Sequence, residues 1–270
     1  MSAPAEVRAR TVHKAKGPHR RISAVSYNVH GCVGVDGRYA PERIAAVIRE
    51  LDADIVGLQE VNSRNGPYHE HRQMDYLAHA TGLHAVAGPT ILEYDRAYGN
   101  ILLSRFPVLV VRRTDLSVPG REPRGILDVD LDVHGTTVRV LVTHFGLRFG
   151  ERRYQTDRLL EALAIDPADP LILLGDLNEW LPRGYAVRQL SAVLGEVPAY
   201  RTFPSRFPIG ALDRIWVRPL EALETVRVHR TAMTRLASDH LPLKATVLAG
   251  VMASRGMSVR EEETSVAEGA

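Results

Sequence analysis

The chain holds one cysteine, Cys32, in 270 residues, so it cannot close an internal disulfide, and no Cys/His pair has zinc-site spacing. A disulfide scaffold and a structural zinc module are thereby excluded, and a reducing compartment fits. No apolar run is long enough to cross a bilayer, and the basic N-terminus lacks the apolar stretch of a secretory signal. The expectation is a cytoplasmic protein with no stable membrane insertion, working as a monomer. Charge of one sign is also scarce, with a formal net of +2. Residues 1–21 carry +5 and residues 254–270 carry −2, which leaves −1 for the middle. A near-neutral middle is not the surface of a domain built to follow a long duplex, though it admits a local basic patch. The ends read as a basic disordered tail over 1–21 and an acidic disordered tail over 251–270, flanking one domain over 22–250.

The rest is the composition of a globular protein, 45% hydrophobic and 24% charged. Strand-like and helical runs alternate. Ile22–Val29 is rich in β-formers. Pro41–Leu51 places Ile44, Val47, Ile48 and Leu51 on one helical face behind a first-turn proline. A short buried strand follows at Ile55–Leu58, a helix at Met74–Ala80, and strands at His84–Ala87, Gly99–Leu103, Val108–Val111, Ile126–Val133 and Thr137–Thr143. Helices at Glu151–Ala164 and Tyr185–Leu194 enclose the strand Leu171–Leu174. Strands at Arg214–Val217, Thr225–His229 and Leu241–Leu248 complete the pattern. Helices fill fewer than half of the gaps, which argues against a simple doubly wound sheet. It suits two stacked sheets flanked by helices.

Acidic, amide and imidazole residues recur at strand ends. Asn28, Glu60 and His144 each follow an apolar strand, as do Asp176 and Asn178 after Leu171–Gly175. Asp213 opens a strand, and Asp239-His240 precedes the last one. Strand ends are rigid platforms, so such groups can converge on one rim. Each has a plainer reading when taken alone. Asn28 can be a turn residue, Glu60 a surface carboxylate beside Arg64, Asp176 and Asn178 a Gly-Asp turn, His144 a satisfied imidazole and Asp213 a salt-bridging group. Coincidence at all six places is harder to accept than one shared site.

The chemistry of such a set is metal-assisted phosphoester hydrolysis. Glu60 and Asn28 offer oxygen donors, which suit Mg²⁺ or Mn²⁺ better than zinc. Asp176 is placed to activate or orient water, and Asn178, His144 and His240 to donate hydrogen bonds to phosphate oxygens. Asp239, next to His240, is expected to hold its tautomer and favour its protonated form.

Seven segments in order resemble the endonuclease/exonuclease/phosphatase superfamily, the fold of pancreatic-type deoxyribonuclease, in the manner of its small bacterial members. They are Ser26–Gly31, Asp54–Val61, Gly99–Ser104, Thr143–Phe145, Gly175–Asn178, Leu212–Ile215 and Ser238–His240, within about residues 22–248. The resemblance implies a four-layer α/β sandwich, two stacked mixed sheets flanked by helices. It implies Asn28 and Glu60 as metal ligands, with Asp213 supporting or ligating at the same rim. It also implies Asp176 and Asn178 at water and phosphate, His144 at phosphate, an essential Asp239–His240 pair, and Asn100 as a lining residue. Two branches are disfavoured. Glu179-Trp180 stands where inositol polyphosphate 5-phosphatases carry Tyr-Arg, and His30 stands where abasic-site endonucleases carry aspartate. His30 reads equally as rim or turn. Arg148, Arg152 and Arg153 read by default as a solvated helix face, with a phosphate-facing patch centred on Arg148 as the alternative. The segments 62–72 and 180–184 are placed to shape substrate entry.

The expected activity is a divalent-metal-dependent phosphodiesterase acting on nucleic acid or a phospholipid-type diester. The neutral middle weighs against a duplex nuclease, and the lack of one long apolar loop weighs against a membrane lipid. The alternatives are a phosphomonoesterase on a small soluble phosphate and a non-catalytic protein that binds a phosphorylated ligand.

Overall fold

The computed structural model describes residues 21–64, 73–93, 96–165 and 170–253. The expected tails, apart from Arg21 and 251–253, lie outside the described residues, as do 65–72 of the expected entry loop. Residues 249–253 are helical and Met252 is buried in the core, so the packed region runs past the expected boundary at 250.

Two mixed sheets carry the fold. The first contains β1 (Arg21–Asn28), β2 (Ile55–Arg64), β3 (His84–Glu93), β4 (Arg96–Ser104), β10 (Leu223–Val228) and β11 (Leu243–Leu248), in the order β10-β11-β1-β2-β4-β3. The second is β5 (Val108–Asp115), β6 (Gly125–Val133), β7 (Thr136–His144), β8 (Leu171–Asp176) and β9 (Asp213–Arg218), in sequential order. Helices α1 (Pro41–Leu51) and α2 (Gln73–Thr81) cover the first sheet. Helices α3 (Phe149–Ile165) and α4 (Tyr185–Leu194) cover the second, and α5 (Thr234–Ala237) is a single turn.

Three apolar clusters make the four layers. Ile22, Ala24 and Ile55 meet Val140, Ile172, Leu174 and Ile215 between the sheets. Val25, Tyr27, Val56 and Leu58 pack on Ile44, Val47 and Ile48 of α1. Leu141, Leu171, Leu173 and Trp216 pack on Leu159 of α3 and Leu190 of α4. The expected sandwich is the observed one. The sheets come close at Gly57, where a Cβ would lie 2.9 Å from Leu174 Cδ1 and 3.0 Å from Val142 Cγ2.

The period of two along a strand positions the polar ends. Residues 22 and 24 of β1 face the other sheet, and Asn28 continues that row. His144 likewise follows Val138, Val140 and Val142, Asp176 follows Ile172 and Leu174, and Asp213 precedes Ile215 and Val217. Parallel pairing brings Asn28 beside Gln59 and His144 beside Asp176, and antiparallel pairing sets Asp176 opposite Asp213.

Several elements run longer than the sequence suggests. The strand expected to stop at Leu58 continues to Arg64, and the one expected to stop at Ala87 continues to Glu93, because polar residues are tolerated along the pairing with β4. The last strand begins at Leu243 rather than Leu241, so Ser238-Asp239-His240 lies in the turn between α5 and β11.

Candidate active site

Glu60 reaches the rim through a defect in its strand. In a regular β2, Glu60 would share the helix-facing side with Val56 and Leu58. A bulge shifts the register against β4 between Leu58 and Val61, and Glu60 takes a left-handed φ of 57°. Val61 then faces the α1 layer, and the Glu60 side chain turns to meet Asn28. A non-glycine residue in this region is strained, and such strain concentrates at functional sites.

The Asn28 amide holds two carboxyl groups together. Its Nδ2 donates to Glu60 Oε1 at 2.9 Å and to Asp176 Oδ2 at 3.0 Å, while its Oδ1 accepts the His30 backbone N–H at 3.0 Å. Asp176 is buried, and its Oδ1 takes the Asn178 backbone N–H at 2.9 Å. The turn reading of Gly175–Asn178 is thus met without removing Asp176 from the rim. One oxygen of Asp176 shapes the turn and the other faces Asn28. Burial raises the Glu60 carboxyl above its usual range; the Asn28 hydrogen bond opposes this, and the neighbouring Asp176 and Asp239 add to it.

The two histidines sit in opposite states. His144 Nε2 lies 3.0 Å from Asn178 Nδ2, 3.6 Å from Asp176 and 3.8 Å from Glu60. Burial and Arg124 push this imidazole down to about 3 against the pull of Asp176, so it is neutral and Nε2 accepts from the Asn178 amide. For His240, burial favours the neutral form but is outweighed by Asp213 and Asp176, which raise it to about 10. Its Nδ1 donates to Asp213 Oδ2 at 2.9 Å, and its Nε2 lies 3.6 Å from Asp176 Oδ2.

Here the structure corrects the expected pairing. Asp213, fully buried and also bonded by Thr202 Oγ1, holds the His240 ring. Asp239 accepts from Ser238 Oγ at 3.4 Å and lies 4.0 Å from His30 Nδ1, so it does not hold the tautomer, while its charge still favours the protonated His240 as expected. His30 itself is a turn residue with φ 48° and a half-exposed side chain that reaches this edge of the rim. The turn reading is met, and the ring Nδ1 also lies 3.1 Å from the Val33 carbonyl.

Asn100 is buried at the back of the recess, where its Nδ2 donates to the Gly125 carbonyl at 2.9 Å and the Val142 carbonyl at 3.4 Å. It therefore ties one sheet to the other as well as lining the recess. Arg148 is exposed before α3, with its backbone N–H capped by Glu151 Oε2 at 2.9 Å. The default solvated face holds for Arg153, which is exposed and stacks on the Tyr185 ring at 5.2 Å, and fails for Arg152, which is buried 3.6 Å from Glu179.

Two residues were missed. Arg124 is buried and shares a recess with Glu60, Asn100 and His144. Phe203 packs on the His240 ring at 4.8 Å. No strand-end pattern marks either one; the nearest signal for Arg124 is its place just before the apolar run of β6.

Ligand atoms of Asp176, Asp213 and His240 all lie within 4.8 Å, so this buried group could hold a metal ion. Asp213 Oδ2 and a protonated His240 already satisfy one another, however, so a cation would have to displace the ring proton, although the buried Asp213 Oδ1 has no hydrogen-bond partner among the described residues. The chemistry of Glu60 and Asp176 fits a hard divalent cation better. Two carboxyl groups converge on one amide, and Glu60 is raised by burial, with Asp176 and Asp239 adding to it.

The sequence profile described as "Endonuclease/Exonuclease/phosphatase family" matches residues 25–240. The Escherichia coli (strain K12) protein YbhP is 30% identical over 84% of this chain and 96% of its own length. Among solved structures, an endonuclease/exonuclease/phosphatase from Beutenbergia cavernae DSM 12333 is 24% identical, with a TM-score of 0.67 over 85% of this chain and 72% of that one. The human Nocturnin catalytic domain is 19% identical, with a TM-score of 0.62 over 84% and 93%.

Proposed function

Because this chain belongs to the endonuclease/exonuclease/phosphatase family, whose members are generally metal-dependent hydrolases of phosphoester bonds, we propose that it is a Mg²⁺- or Mn²⁺-dependent phosphodiesterase. One observation carries the reading. The Asn28 amide clamps Glu60 to Asp176, and a protonated His240 held by Asp213 faces the same Asp176 oxygen at 3.6 Å. A cation-seeking half and a proton-donating half therefore meet at one carboxyl group.

Glu60 would hold the metal, with Asn28 beside it; when bound, such an ion neutralises charge on the phosphate and the leaving oxygen. The chain's own residues supply the rest. Asp176 orients the attacking water and takes its proton. The His240 imidazolium donates from Nε2 to a phosphoryl oxygen as negative charge builds, and Asp213 keeps the ring charged and aimed. Asp213 is thus a positioning residue for His240 in place of the metal role implied by resemblance. Neutral His144 fixes the Asn178 amide, which sets the Asp176 turn. Arg124 and Arg148 add positive charge around the mouth, and Asn100 holds the wall behind Glu60.

The test is hydrolysis of bis-p-nitrophenyl phosphate and p-nitrophenyl phosphate with Mg²⁺, Mn²⁺ or EDTA. Metal-dependent turnover that favours the diester is expected. Failure of both metals to support turnover of either ester would overturn the assignment.

A further inference from the structure

Three loops join the rim next to site residues, and each pairs two exposed apolar side chains with an exposed arginine. Leu147-Arg148-Phe149 follows His144. Trp180-Leu181-Pro182-Arg183 follows Asn178. Arg206-Phe207-Pro208-Ile209 precedes Asp213. The six apolar side chains are between 52% and 80% exposed. A single exposed leucine is ordinary; six such residues on linked loops around one mouth mark an interaction surface.

The loops are joined at their bases. Trp180 sits edge-on to Phe203 at 5.9 Å, and Phe203 packs on His240 at 4.8 Å. The Ile209 N–H donates to the Phe203 carbonyl at 2.9 Å, and a Cβ on Gly210 would lie 3.2 Å from the Trp180 indole. Arg152 links the other pair. Its guanidinium donates to the Leu147 carbonyl at 2.6 Å and lies 3.6 Å from buried Glu179, whose other oxygen accepts the Leu181 N–H at 3.2 Å. The apolar tips thus stand on a fixed base, which lowers the ordering cost of binding.

We propose that these loops dock the mouth of the site onto an anionic phospholipid bilayer, so that a lipid headgroup phosphodiester reaches His240. The inference names a substrate class for the phosphodiesterase reading and rests on it. Charge complementarity selects the occupant. The three segments contain three arginines and no acidic residue, and the adjoining Glu151 and Glu179 are buried. Indole and phenyl rings favour the headgroup region, aliphatic tips enter the acyl boundary, and guanidinium groups meet anionic lipids. A single-stranded nucleic acid would be stacked on aromatic faces, whereas Leu147, Leu181 and Ile209 offer none. Docking of this kind is peripheral: no helix among the described residues is long and apolar enough to cross a membrane. Three short loops supply the apolar surface that the sequence lacks as one long loop.

The test is co-sedimentation of the full chain with vesicles of phosphatidylcholine alone or mixed equally with phosphatidylglycerol. Binding to the mixed vesicles is expected. The exposed double variant Leu181→Ser/Phe207→Ser should lower vesicle affinity on the order of tenfold or more. Arg183→Gln/Arg206→Gln should lower it about fivefold per arginine at low salt. Both should leave bis-p-nitrophenyl phosphate turnover in solution unchanged. Binding no better than to phosphatidylcholine, or binding retained by Leu181→Ser/Phe207→Ser, would overturn the proposal. So would single-stranded DNA binding, or a concentration-dependent dimer, that the apolar variant loses while vesicle binding is absent. If the unsubstituted protein turns over no phosphodiester, the hydrolase reading falls, while vesicle binding still decides the docking surface.

Discussion

His240 Nδ1 lies 2.9 Å from Asp213 Oδ2, a partner 27 residues away in the chain, while its covalent neighbour Asp239 turns toward Ser238 and His30. Asp213 is fully buried, and its Oδ1 has no hydrogen-bond partner among the described residues. Its other oxygen, Oδ2, takes both the Thr202 hydroxyl and the His240 ring.

This pairing orders the effects of two substitutions. Asp213→Asn keeps the shape but removes the charge that holds the His240 proton, and should lower kcat/KM for bis-p-nitrophenyl phosphate by about 10²–10⁴-fold. Asp239→Asn should cost much less. Equal losses, or a larger one at Asp239, would refute the assignment of Asp213 as the positioning residue.

The histidines also predict a stability optimum for the metal-free protein. His240 is raised from 6.5 to about 10 in the fold, so its stabilisation is complete below 6.5 and is lost as pH climbs toward 10. His144 is lowered from 6.5 to about 3, so the unfolded chain gains that proton first and stability falls as pH drops from 6.5 toward 3. Urea midpoints measured with EDTA across this range should peak near 6.5. His240→Gln should flatten the alkaline limb and His144→Gln the acid limb.

Glu60→Gln separates metal binding from folding. The Asn28 hydrogen bond has an acceptor in either side chain, and the raised carboxyl means that the ionised group opposes folding. Without metal, the variant should be as stable as the parent or more so. With metal at a hundred times its dissociation constant the parent should gain about 2.7 kcal/mol, and Glu60→Gln should gain little. Thermal unfolding with Mg²⁺ and with EDTA reads both halves, and an equal Mg²⁺ response in the two proteins would remove Glu60 from the metal site.

Asn100 is predicted to act mainly through stability. Asn100→Ala leaves the Gly125 carbonyl without this partner inside the sandwich and should cost about 1–3 kcal/mol in urea unfolding. KM for a soluble diester should change little. A raised KM with unchanged stability would instead make it a substrate contact.

Most of the fold was readable because apolar alternation and helical periodicity are local properties. Pro41–Leu51 and Tyr185–Leu194 match their expected bounds, since a proline starts one and a glycine ends the other. Asn28, His144, Asp176 and Asp213 could be placed on one rim because each extends a row of residues facing the opposite sheet. Glu60 breaks that rule. Counting by twos puts it on the helix side, and only the bulge at Leu58–Val61 returns it to the site.

The sequence by itself determined the layers, the succession of strands and helices and the kinds of polar groups that fall at the rim, because those follow from side-chain period and residue chemistry. The tertiary structure alone decided who faces whom. Asp213 reaches His240 from another sheet, Phe203 covers that ring, and Leu147, Trp180 and Phe207 stand on loops joined around one mouth. The physical reason is that a hydrogen bond or an apolar patch depends on separation and direction in space. Neighbours in sequence such as Asp239 and His240 share a peptide bond without sharing a direction.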